Sequence, residues 1–316
     1  MFILNILVIG SEGTIGSRLV EKLREKGYQV WGCDIIRKKA PNYTMADITH
    51  YETLERIFAD IQPKIVFHLA AEVSRETCEH WPTVSVETNV MGTLNVLLLC
   101  TKYSARVVYS GTSEEYGDAF QYGKVDEDTP IGNPQGIYAL TKYMAETLVE
   151  FFHRTRGLSG IVVRLFMCYG REKPTGYRSA VTQFIESARL GETIFVHKGT
   201  KRQWSYIDDT VEGLIKAAQY RLDDHGCYET FLLGRSETWE MIDIAKKIRS
   251  IVNSKSRIEE IDVPKGITPV KLANFDKSKR LLNWEAKITF DKGIRMEIEW
   301  AKKNSPLRDS SSPDLQ

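Results

Sequence analysis

The sequence predicts a doubly wound α/β fold, a parallel sheet covered by helices on both faces. Three observations carry this prediction. Short apolar runs alternate with helical patterns through the first half of the chain. The apolar runs are continuous rather than alternating, as strands buried on both faces require. A glycine-rich turn joins the first run to the first helical pattern.

In order, residues 3–9 read as a buried strand and 15–26 as a helix, with Ile15, Leu19 and Leu23 on one face. Residues 29–34 form a second strand, 51–59 a helix and 65–69 a third strand. A helix over 88–103 precedes a strand over 106–110, and a long helix over 138–153 precedes a strand over 160–165. Beyond residue 178 the helical spacing is less regular and interrupted by loops. This organisation predicts a main domain over 1–170, rejoined by about 205–233, and a smaller lobe built from 171–204 and 234–304. Residues 305–316, rich in Ser, Pro and Asp, are expected to form a flexible tail.

The composition permits this and narrows the function classes. The chain has 316 residues, 42% hydrophobic and 27% charged, ordinary values for a globular protein with a large core. A formal net charge of +1 offers no basic footprint, so neither nucleic acid nor an anionic membrane is expected as a partner. Cys33, Cys78, Cys100, Cys168 and Cys227 are scattered and never in C-x-x-C spacing. No disulfide framework or zinc site is expected, and a reducing cytoplasmic setting fits. The histidines show no metal-ligand spacing, so no metal is expected. The apolar run 2–9 lacks a preceding basic region, and the run 96–100 is far shorter than a bilayer span.

Gly10-Ser11-Glu12-Gly13-Thr14-Ile15-Gly16 stands where the first strand ends and the first helix begins. Glycines there allow a tight turn and close approach of backbone to phosphate, and the helix N-terminus offers N–H groups and a positive dipole end. Asp34 closes the second strand, where a carboxylate can hold both ribose hydroxyls and repel a 2′-phosphate. Together they point to a Rossmann-type sheet that binds NAD in preference to NADP.

Tyr138 and Lys142 form Y-x-x-x-K on one face of a predicted helix. A free tyrosine has a pKa near 10, so a base working at neutrality needs roughly three units of depression, about 4 kcal/mol. A neighbouring ammonium in a water-poor pocket can supply part of that.

The order of these features resembles the extended short-chain dehydrogenase/reductase family, the NAD-dependent nucleotide-sugar epimerases and dehydratases, over roughly residues 3–300. The resemblance implies that Gly10, Gly13 and Gly16, with Thr14 and Ile15, hold the pyrophosphate of NAD and Asp34 its ribose. Asp47 and Ile48 would flank the adenine. His68-Leu69-Ala70-Ala71 resembles the segment that passes under the cofactor, which assigns Leu69, Ala70 and Ala71 to it, while Asn89 would steady the site. Tyr109-Ser110-Gly111-Thr112, continuing to Tyr116-Gly117, resembles the segment with the catalytic hydroxyl. It places Ser110 on the cofactor side and Thr112 on the substrate hydroxyl. Tyr138 would take the hydroxyl proton, and Lys142 would also hold the nicotinamide ribose. Arg202-Gln203-Trp204-Ser205-Tyr206-Ile207-Asp208-Asp209 resembles a segment whose arginine meets the nucleotide diphosphate, which assigns Arg202 and Tyr206 to a nucleotide-diphosphate sugar.

The implied chemistry is transient oxidation at C4 of the sugar to a 4-keto intermediate, with C4 epimerisation the leading outcome. Glu114, two residues after Thr112, leaves 4,6-dehydration or decarboxylation open, because an acidic side chain there could act as an extra base at C5. A catalytically silent NAD-binding module is the rival of another class, and the intact Thr112, Tyr138 and Lys142 set argues against it. The lobe over 171–204 and 234–304 would bind substrate. The resemblance also implies a homodimer through helices at about 91–103 and 138–153. One departure stands out: Met167 occupies the position where the family has an asparagine that contacts substrate phosphate, and a thioether cannot donate that bond.

Overall fold

A computed structural model describes residues 4–173, 178–224 and 226–304. The strands β1 (Asn5–Ile9), β2 (Gln29–Asp34), β3 (Tyr43–Met45), β4 (Ile65–His68), β5 (Arg106–Thr112) and β6 (Gly160–Leu165) belong to one sheet. The short strands β7 (Cys168–Tyr169), β8 (Ile194–His197), β9 (Lys201–Arg202) and β10 (Ser205–Tyr206) lie outside it, and β11 (Tyr228–Leu233) returns to it as the seventh strand. The order is β11-β6-β5-β4-β1-β2-β3, and every pairing is parallel. Later strands β12 (Trp239–Glu240) and β13 (Ile258–Ile261) pair with β9 and β8, and β10 pairs with β7.

Alternate residues of each strand feed opposite cores, which explains the continuous apolar runs. Ile6 and Val8 join one cluster with Leu19 and Leu23 of helix α1 (Thr14–Glu25). Leu7 and Ile9 join another with Leu54 and Phe58 of α2 (Tyr51–Ile61). The chain continues through α3 (Arg75–His80), α4 (Pro82–Ser85), a π-helical turn (Val86–Gly92), α5 (Thr93–Lys102) and α6 (Ile137–Arg156). Val96 and Leu97 of α5 and Ala145 and Val149 of α6 complete the second cluster. Then follow α7 (Ala180–Leu190), α8 (Ile207–Gln219), α9 (Met241–Val252), α10 (Asp276–Leu282) and α11 (Phe290–Asn304), with Val211 and Leu214 of α8 in the first cluster.

Three elements depart from the sequence reading. Strand β3 has three residues, two of them exposed, so no apolar run marks it. The helix expected from residue 88 begins at Pro82 and contains the π turn, where each extra residue per turn shifts the apolar spacing. Strand β5 runs two residues past Ser110, to Thr112. The helical stretch Pro82–Lys102 is long and apolar enough to cross a membrane by length and composition, but half of its apolar window is packed inside the protein.

Candidate active site

One register row crosses five strands: Cys33, Ile9, His68, Tyr109 and Val162. The next residues along, Asp34, Gly10, Leu69 and Ser110, therefore emerge side by side at the C-terminal edge. Strand order reverses at β1, which lies between β2 and β4, and such a crevice is where doubly wound sheets bind ligands.

The glycine loop fits a dinucleotide phosphate. Gly10 has φ +86°, and a Cβ there would stand 2.6 Å from the Ala70 nitrogen. A Cβ on Gly16 would run into the Gly10 carbonyl. The N-cap of α1, Gly13, has no side chain, so the cap itself offers no side-chain acceptor to the first-turn N–H groups of the helix. Asp34 accepts N–H bonds from Glu12 at 2.9 Å and Ile36 at 3.2 Å, which fixes its carboxylate beside the loop. Asp47 takes the Thr49 N–H and hydroxyl on one oxygen, each at 2.8 Å, and Ile48 is buried beside Gly92. Leu69 donates its N–H to Ile9 at 2.9 Å, and Leu69, Ala70 and Ala71 are half-buried.

The Y-x-x-x-K pair opens α6. Thr141 donates its hydroxyl to the Tyr138 carbonyl at 3.0 Å and accepts from Asn89 Nδ2 at 3.0 Å. Asn89 also clamps Glu72 by its N–H (2.8 Å) and its carbonyl (3.1 Å). Asn89, on the π turn, thus ties the strand β4 exit to the head of α6. Lys142 is buried, its Nζ 4.2 Å from the Tyr109 ring centroid. Burial holds the ammonium down to about 8, against the opposing pull of Glu146. Tyr109 donates its hydroxyl to the Lys142 carbonyl at 3.1 Å, and Ser110 donates to the His68 carbonyl at 3.1 Å. Burial, then the Lys142 charge, pushes His68 down to about 3, so its ring is neutral and bonds Thr93 at 2.9 Å.

Thr112 ends β5 as the cap of a 3₁₀ turn (Ser113–Tyr122). Its hydroxyl accepts the Glu114 N–H at 3.3 Å, and Glu115 accepts the Thr112 N–H at 2.8 Å. Glu114 points elsewhere. It pairs with Arg75 Nη2 at 2.7 Å and with Lys271 Nζ. Burial alone would make Glu114 hold its proton to higher pH, but Lys271 and Arg75 outweigh it and hold the carboxyl below the usual range. Burial, partly offset by Glu114, takes Lys271 down to about 8. Arg202 donates to the carbonyls of Lys201 (2.8 Å), Pro269 (2.5 Å) and Thr268 (2.8 Å), and so docks the segment that carries Lys271.

Tyr206 requires a correction. Its side chain is a core residue, with 2% exposure and its ring 5.5 Å from that of Tyr169, so it does not face a substrate crevice. The stretch Thr175-Gly176-Tyr177-Arg178 could offer a donor in place of the missing asparagine, but Arg178 pairs with Glu186, and 174–177 lie outside the described residues. Sequence reasoning missed Arg75, Lys271 and Glu115. Arg75 and Lys271 sit in no motif, and only the fold brings them to Glu114. Among the described residues no cluster suited to a metal ion occurs.

The family model described as "NAD dependent epimerase/dehydratase family" matches residues 6–234. A UDP-glucuronate 4-epimerase of Thermodesulfobacterium geofontis is 32% identical, over 95% of this chain and 97% of its own. UDP-glucuronic acid decarboxylase 5 of Arabidopsis thaliana is 28% identical, over 94% and 89%. Among solved structures, the UDP-glucose 4-epimerase of Thermotoga maritima, determined with UDP-glucose, matches with a TM-score of 0.85 and 29% identity, over 95% of this chain and 99% of the other.

Proposed function

From the premise that the chain belongs to the NAD dependent epimerase/dehydratase family, we propose that it epimerises a nucleotide-linked sugar at C4 through a 4-keto intermediate, and that this sugar carries a carboxylate. NAD, when bound, supplies the acceptor and donor of the C4 hydride. Gly10, Gly13, Gly16, Thr14 and Ile15 would hold its pyrophosphate, Asp34 its ribose, and Lys142 the ribose beside Tyr138. Thr112 would bond the C4 hydroxyl, and Tyr138 would take its proton and later return it. The observation that carries the core of this reading is the convergence of the glycine loop, Asp34, Thr112 and the head of α6 on the C-terminal edges of adjacent strands.

The choice of sugar rests on charge. Arg75, Lys271 and Arg202 gather around Glu114 as three cations to one carboxylate. The surplus suits a diphosphate and a sugar carboxylate. Glu114, held ionised by two cations, is a poor base for the C5 proton that dehydration must remove, whereas epimerisation needs no such base. Relatives that act on UDP-glucuronate point the same way. Decarboxylation is the second reading. Lys271, near 8, has the acidity to return a proton to C5 after loss of carbon dioxide. A homodimer belongs to the proposal as well: Leu140, Met144 and Phe151 leave an exposed apolar stripe on α6, and Met91 is exposed on the π turn.

The test is incubation of the purified protein with UDP-glucuronate and with UDP-glucose, followed by NMR of the products. The proposal expects a 4-epimeric uronate from the first. A UDP-pentose would install the decarboxylase reading. Recovery of both sugars unchanged, from protein loaded with NAD, would remove both.

A further inference from the structure

Behind Thr112 lies a buried acid that the mechanism above does not use. Glu115 is fully buried. Its Oε1 accepts the Thr112 N–H at 2.8 Å, and its Oε2 has no hydrogen-bond partner among the protein's donors. The nearest cation, Arg164 Nε, stands 3.8 Å from Oε2 and is engaged elsewhere. Arg164 holds Glu146 through Nε at 3.1 and 3.2 Å and through Nη2 at 2.6 Å, and gives Nη1 to the Tyr116 hydroxyl at 2.7 Å.

Two carboxyls therefore share one guanidinium, and they lie against each other. A Cβ on Gly111 would stand 3.0 Å from Glu146 Oε2 and 3.2 Å from Glu115 Oε1, so the strand passes close beside both carboxyls. Adjacent carboxylates in a water-poor site do not both ionise at neutrality. The charged and titratable groups facing Glu115 are Glu146 and Lys142 from α6, Arg164 from β6, Tyr109 from β5 and Tyr116 from its own turn.

We propose that Glu115 is an un-ionised positioning residue of the redox site. Its acid proton bridges to Glu146 while its other oxygen anchors the Thr112 backbone. The orphan Oε2 then becomes a donor, the state in which every polar atom of the group is satisfied. Burial, then the charge and hydrogen bond of Glu146, push this carboxyl well above the usual range, in agreement with the geometry. The neutral state has a consequence for catalysis. Glu146 and Arg164 cancel each other, so the field of the Lys142 ammonium is not spent on Glu115 and remains for the Tyr138 oxygen. This part rests on the assignment of Tyr138 and Lys142 as the working pair.

Glu115→Gln and Glu115→Ala test it. Glutamine mimics a protonated glutamate at both oxygens. The folded protein would hold a proton on Glu115 that the unfolded chain releases above about 4.3, so wild-type stability carries a cost that grows as pH rises from there. Glu115→Gln lacks that cost. Its Tm should match wild type near pH 5 and exceed it increasingly toward pH 8. A Glu115→Gln protein less stable than wild type at pH 8 would overturn the proposal, because it would mean an ionised carboxylate paired with Arg164. For positioning, Glu115→Ala should lose roughly tenfold or more in kcat with little change in KM, as when a group at the reacting hydroxyl is misplaced. Glu115→Gln should restore kcat with an unshifted pH profile. Full kcat in both variants, or loss in both, would overturn that role. Activity surviving in Tyr138→Phe would instead sink the functional assignment, while the stability titration would still report on Glu115.

Discussion

Lys271 and Glu114 stand 157 positions apart in the chain and form an ion pair in which the lysine is buried. The pair, with Arg75 on the other oxygen, decides what Glu114 can do. If Lys271 receives a sugar carboxylate, Lys271→Met should raise KM for UDP-glucuronate while leaving KM for UDP-glucose within about twofold. A charge-assisted hydrogen bond contributes about 1.5–3 kcal/mol, hence a rise of about 10- to 100-fold. Steady-state kinetics on both sugars measure it, and equal effects on the two would exclude carboxylate recognition by this residue.

Tyr138→Phe keeps the ring and removes the proton acceptor. Turnover should fall by about a thousandfold, the middle of the range for a positioned acid–base group. NAD should still copurify, since the glycine loop and Asp34 are untouched. Released nucleotide can be assayed by chromatography after denaturation. A variant that turns over at the wild-type rate would exclude the tyrosine as the base.

Lys142 gives opposite pH trends for activity and stability. Burial, resisted by Glu146, holds its ammonium to about 8. Turnover should decline as pH rises through about 8, when the charge that supports the Tyr138 phenolate is lost. The unfolded value is about 10.4, so between about 8 and about 10.4 the unfolded chain binds more protons and this group's contribution to stability rises with pH. Below that window the buried charge costs on the order of 3 kcal/mol. Lys142→Met should therefore be inactive yet more stable at pH 7, with an advantage that shrinks toward pH 10. Denaturant titrations across that range measure the gap. A methionine variant less stable than wild type at pH 7 would show that the ammonium is compensated.

The legible parts of this molecule were those written locally. Residues 29–34 and 160–165 were readable as strands to the residue because both faces of each are covered. The glycine loop and the Y-x-x-x-K pair declare themselves because phosphate approach and a shared helix face each impose a fixed short spacing. Strand β3 was silent because it is short and exposed at Thr44 and Met45. Tyr206 was misread because a motif position says nothing about which way a ring turns, and this one packs on Tyr169. The cations around Glu114 were invisible for the opposite reason: Lys271 arrives because Arg202 fastens the Thr268 and Pro269 carbonyls and Lys201 pairs with the same segment. Glu115 was missed although its spacing three residues after Thr112 is that of a capping box, and the acid it shares Arg164 with comes from α6.

The stripe Leu140, Met144 and Phe151 on α6 leaves each side chain more than two-fifths exposed, at 42, 41 and 44%. If two copies bury these stripes against one another, Leu140→Glu combined with Phe151→Glu should give a monomer by light scattering, because two charges would lie in each half of an apolar interface. Secondary structure should be unchanged, since neither side chain reaches the sheet core. A wild-type chain that runs as a monomer at micromolar concentration would dismiss the interface.

Arg164 joins Glu146, Tyr116 and Glu115 and is buried. Removing one member of a buried ion pair costs about 3–5 kcal/mol, because the remaining charge is left without its partner. Arg164→Met should lower Tm by roughly 10 °C, taking about 2–4 °C per kcal/mol for a chain of this order. Arg164→Lys should fall between, since a point charge cannot serve Glu146 and the Tyr116 hydroxyl together. Thermal melts of the three proteins check this, and an Arg164→Met protein as stable as wild type would mean that the guanidinium carries none of this stability.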